Sequence, residues 1–96
     1  MESTTEIRNI LKTNVEKLMT ELEGMQKHVY VPQKVDSCFL QYKNIITEMS
    51  NYRDLSVSIQ YNSEDFDLIS DYLRSRNFNR AVEKIIDGIG EFPELS

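Results

Sequence analysis

The chain has 96 residues, of which 40% are hydrophobic and 28% are charged, with three glycines and two prolines. This is the composition of one globular domain, and it excludes a disordered or low-complexity chain. The 16 acidic and 11 basic residues leave a net charge of −5, which repels phosphate and anionic lipid and therefore excludes unselective binding to nucleic acid or membranes.

The first predicted helix runs from about residue 4 to about residue 28. Ser3 and Glu6 have the spacing of a capping box, which marks a helix start. An apolar stripe at helical spacing follows, interrupted by one polar residue, Asn14. Its residues are Ile7, Leu11, Asn14, Leu18, Leu22, Met25 and Val29. Gly24 either lies inside this helix or ends it. At ~1.5 Å per residue the helix is ~35 Å long, more than the other elements can cover, so we expect part of its stripe to contact another molecule.

A second helix is predicted from about residue 33 to residue 50. Val31 favours extended backbone because a proline follows it, and Pro32 is suited to open a helix. One side of the helix is apolar: Val35, Cys38, Phe39, Tyr42, Ile45, Ile46 and Met49. This is the clearest amphipathic helix in the sequence.

The next segment, LSVSIQYN at residues 55–62, alternates apolar and polar residues at every step. Alternation predicts a half-buried strand over residues 55–61, and the short stretch HVYV at residues 28–31 is its obvious partner. Leu55 and Ile59 are also one helical turn apart, so the sequence leaves strand and helix open here.

The last third of the chain predicts a helical hairpin. A helix begins at Asn62 or Ser63, with acidic residues in its first turn and arginines in its last, as the helix dipole favours. The apolar phase changes after Leu73, so we expect a break near residues 77–79 and then a second helix. Gly88, Gly90 and Pro93 end that second helix.

The stretch DYLRSRNFNRAVEKIIDGIGEFPE, residues 71–94, is similar to the second part of a tetratricopeptide repeat. The resemblance rests on Tyr72, Phe78, Ala81, Ile85, Gly88, Ile89 and Pro93. The chain departs from the repeat at Asp65 and Ile69 and contains no second copy. Residues 69–85 also resemble the LisH dimerisation motif. Because two families match one short segment, we interpret both resemblances as the pattern of a helical hairpin.

The sequence predicts neither an enzyme nor a cofactor or metal site. Cys38 and His28 are the available nucleophile and base, but Cys38 lies on the apolar face of its helix, where cysteine usually acts as a small hydrophobe. One cysteine and one histidine are too few for a zinc site. The acidic residues Glu64, Asp65 and Asp67 are explained by their place in the first turn of a helix. No glycine-rich phosphate loop occurs.

The single cysteine, the polar start MESTTEIRN and the lack of any apolar run of ~18 residues predict a cytoplasmic protein. We expect residues 1–96 to form one mainly α domain, a small bundle of about four helices ending in a helical hairpin. The sequence leaves open whether a short two-stranded β element is also present.

The predicted function is protein–protein interaction as an adaptor, a complex subunit or an inhibitor of a larger protein, with self-association through the first helix. The predicted partner-binding residues, which combine helix-1 apolar positions with tyrosines at element ends, are Ile7, Leu11, Leu18, Tyr30, Tyr52 and Tyr61. No nucleic-acid or membrane partner is expected. The alternative is an oligomer that holds a small anionic ligand at Arg74, Arg76 and Arg80.

Overall fold

The computed structural model describes residues 4–51 and 63–90, which form four α-helices. They are α1 (Thr4–Lys27), α2 (Pro32–Ser50), α3 (Ser63–Arg74) and α4 (Phe78–Gly90). The prediction of a mainly α bundle of about four helices that ends in a helical hairpin is confirmed. Gly24 lies inside α1 and does not end it.

The two-stranded β element is not supported, because the described ranges 4–51 and 63–90 contain no strand. Residues 28–31 connect α1 to α2. Val31 is extended, with φ −98° and ψ 114°, as a residue before proline must be, but it serves as the N-cap of α2. Its carbonyl oxygen accepts a hydrogen bond from the backbone N–H of Val35 at 3.0 Å. The strand predicted at residues 55–61 lies outside the described residues.

The short connection makes α1 and α2 an antiparallel pair, and α4 packs against α1, α2 and α3. The core between these helices contains Ile7, Leu11, Leu18, Leu22, Met25, Val35, Cys38, Phe39, Tyr42, Ile45, Ile46, Met49, Ile69, Ala81, Val82, Ile85 and Ile89. Phe66 of α3 meets the rings of Phe39 and Tyr42 edge to face, with centroids 6.0 and 5.8 Å away. Such aromatic pairs add to the stability that burial alone gives.

Most of the apolar stripe predicted along α1 is covered within the chain. Its buried residues run from Ile7 near the start of the helix to Met25 near its end. The covering surface comes from α2, which folds back after Pro32, and from α4, which packs against both α1 and α2. Val29, the last residue of the predicted stripe, is 66% exposed, so contact of part of the stripe with another molecule stays a prediction.

The corner between α3 and α4 is a helix C-cap followed directly by a new helix. Arg76 has a positive φ of 61°, an uncommon conformation for a residue with a side chain. The N–H of Asn77 donates to the carbonyl of Tyr72 at 2.7 Å, and that of Arg76 donates to the carbonyl of Leu73 at 3.1 Å. This pair of bonds is a Schellman motif, which ends α3 at Arg74, slightly before the break predicted near residues 77–79.

Candidate functional site

An open groove of about 450 Å³ lies between α1 and α2. The α1 side is lined by Ile7, Ile10, Leu11, Asn14 and Lys17, and the α2 side by Gln41, Asn44, Ile45 and Glu48. Three of these residues, Ile7, Leu11 and Ile45, are buried and belong to the core, so they form the apolar floor. Ile10 is 58% exposed and stands at the edge of the groove.

The groove lies where the apolar stripe of α1 is interrupted. Asn14 occupies the stripe position between Leu11 and Leu18. Its side chain is exposed, whereas those two stripe residues are buried. Across the groove, Gln41 and Asn44 present two more amides on α2. The side-chain nitrogen of Gln41 donates to the hydroxyl of Ser37 at 3.3 Å, which holds Gln41 along its own helix. The result is an apolar floor with amide walls.

Four large apolar side chains are exposed among the described residues: Ile10, Val29, Leu40 and Leu68. Leu40, 56% exposed, lies on α2 one helical turn before Asn44 and is not one of the residues that line the groove. Val29 lies in the connection after α1, and Leu68 lies on α3. Single exposed apolar residues are ordinary, whereas Ile10 lines a groove that has an apolar floor.

The partner-binding residues predicted from the sequence do not come together at one exposed surface. Ile7, Leu11 and Leu18 are 6%, 2% and 0% exposed, and Ile7 and Leu11 contribute to the groove floor. Tyr30 is half-buried and packs against the core. Tyr52 and Tyr61 lie outside the described residues. A direct role of these side chains in partner binding stays a prediction.

Sequence reasoning did not select the groove residues Ile10, Asn14, Gln41 and Asn44. Two signals were present. Asn14 breaks an otherwise apolar stripe, and Ile10 widens that stripe toward the polar side of α1. Neither signal identifies a groove by itself, because the opposite wall comes from a different helix.

The arginines of the alternative anion site lie at the α3–α4 corner, and all three are exposed. Arg74 is paired with Asp71 at 2.7 Å, and the Arg76 guanidinium lies 5.5 Å from the centroid of the Phe78 ring. The nearby Lys84 pairs with Asp65 at 3.3 Å. Two of the basic residues in this region, Arg74 and Lys84, thus have acidic partners. Anion binding at Arg74, Arg76 and Arg80 stays a prediction.

Cys38 is fully buried in α2, whereas His28 is exposed in the connection that precedes it. The pKa of the Cys38 thiol is raised to about 12, mainly by burial and in smaller part by the neighbouring Glu21 carboxylate, while Lys34 opposes the shift. A nucleophilic cysteine needs the opposite shift. Within residues 4–51 and 63–90, no group of three or more His, Cys, Asp and Glu side chains is placed to hold a metal ion. No described helix is long and apolar enough to cross a membrane.

An apolar groove at the surface of a helical bundle marks a binding surface, for a protein or for a small ligand. Residues 3–72, more than half of the chain, match the model of one protein family, described as the formin N-terminal GBD. The chain therefore belongs to this family. No curated protein and no solved structure matches it. The family match contains every residue of the groove and ends inside α3, so that Arg74, Arg76, Arg80 and all of α4 lie beyond it.

Proposed function

We propose that the chain is a GTPase-binding module, the function for which the GBD of its family is named. The observation that carries this proposal is the family match over residues 3–72, which spans α1, α2 and most of α3. The exposed groove supports it, since a protein partner needs a surface with some apolar area that the free domain leaves uncovered.

A GTPase-binding module distinguishes the GTP-bound state of its partner from the GDP-bound state. In Ras-like GTPases the γ-phosphate of GTP orders two switch segments, which are released on hydrolysis. The proposed module therefore binds the GTP-bound state more tightly, because the two states differ in those segments. An adaptor or a regulated subunit of a larger assembly uses binding of this kind. A cytoplasmic location, which the sequence predicts, suits this role.

The test is a binding titration of this chain against purified Ras-like GTPases, each loaded with GDP or with a non-hydrolysable GTP analogue. We expect at least one GTPase to bind about tenfold or more tightly in the GTP-analogue state, a difference of ~1.4 kcal/mol. Equal affinity for the GDP-loaded and GTP-analogue-loaded states, or no binding to any GTPase of a broad panel, would contradict the proposal.

Self-association through α1 and the absence of enzymatic activity stay predictions. With the stripe of α1 buried, Ile10 is the large exposed apolar residue on the described part of α1 that a dimer would use. Molar mass measured by light scattering at two protein concentrations tests this directly. An increase in mass with concentration that Ile10→Asp abolishes supports a dimer through α1, and a constant monomer mass contradicts it.

A further inference from the structure

We draw no further inference here: the strongest candidate, the open groove between α1 and α2, carries nothing because nothing in the structure shows what covers it.

Discussion

Two glycines inside helices differ sharply in what surrounds them. A methyl group on Gly88 of α4 would lie 2.7 Å from Cζ of Tyr42 and would also meet its hydroxyl oxygen. Ordinary carbon contacts are ~3.5–4.0 Å, so the buried Tyr42 ring would have to move. We expect Gly88→Ala to lower the free energy of unfolding by about 1–3 kcal/mol, measured by urea denaturation.

Gly24 of α1 provides the matched control. A methyl group there would meet nothing within 4 Å, and the residue lies inside a helix, where alanine is favoured over glycine. Gly24→Ala should therefore raise the free energy of unfolding by about 0.5–1 kcal/mol. A loss of stability in Gly24→Ala would contradict the open space beside Gly24, and no loss in Gly88→Ala would contradict the packing of α4 against α2.

The buried thiol of Cys38 predicts a pH dependence of stability. Its pKa is about 12 in the folded chain against an ordinary value of 9.0, so the unfolded chain ionises first as the pH rises. The Cys38 contribution is therefore complete below pH 9 and is lost as the pH rises toward 12. Relative to Cys38→Ala, the wild type should lose roughly 2 kcal/mol between pH 9 and pH 11. If the free energies of unfolding of wild type and Cys38→Ala change in parallel with pH, the Cys38 thiol is accessible to water in the folded chain and the prediction is wrong.

At the scale of elements, α4 belongs to the folding unit although the family match ends at residue 72. Two adjacent isoleucines of α4 test this. Ile85 is fully buried, whereas Ile86 is half-buried at the edge of the core. Ile85→Ala should cost about 2–5 kcal/mol and Ile86→Ala clearly less, measured by thermal or urea unfolding. Equal and small losses would mean that α4 does not pack into the core.

The helices could be predicted from the sequence because their boundaries have local causes. Pro32 begins α2 where the chain before it must be extended, and the change of apolar phase after Leu73 places the break between α3 and α4. The same extended backbone at Val31 suggested a strand, and the structure shows an N-cap instead. An extended residue before a proline can belong to a strand or serve as the N-cap of a helix, and the local sequence pattern does not distinguish the two.

At the scale of the whole molecule, the groove could not be predicted because its two walls are far apart in the sequence. Ile10 and Asn14 meet Gln41 and Asn44 only after α2 has folded back on α1. The sequence did predict a protein-interaction module from its helical pattern, and the family match supports that coarser statement. The proposed GTPase partner could not be predicted, because the sequence shows no local motif for it.

The central claim, that the chain is a GTPase-binding module, is tested most directly by a nuclear magnetic resonance titration of the ¹⁵N-labelled chain. A GTPase loaded with a non-hydrolysable GTP analogue is added, with the GDP-loaded form as control, and the titration is repeated over a broad panel of Ras-like GTPases. We expect at least one GTPase in the GTP-analogue state to cause chemical-shift changes that saturate, with much weaker changes from its GDP-loaded form. No change with any GTPase of the panel, or equal changes with both nucleotide states, would contradict the account.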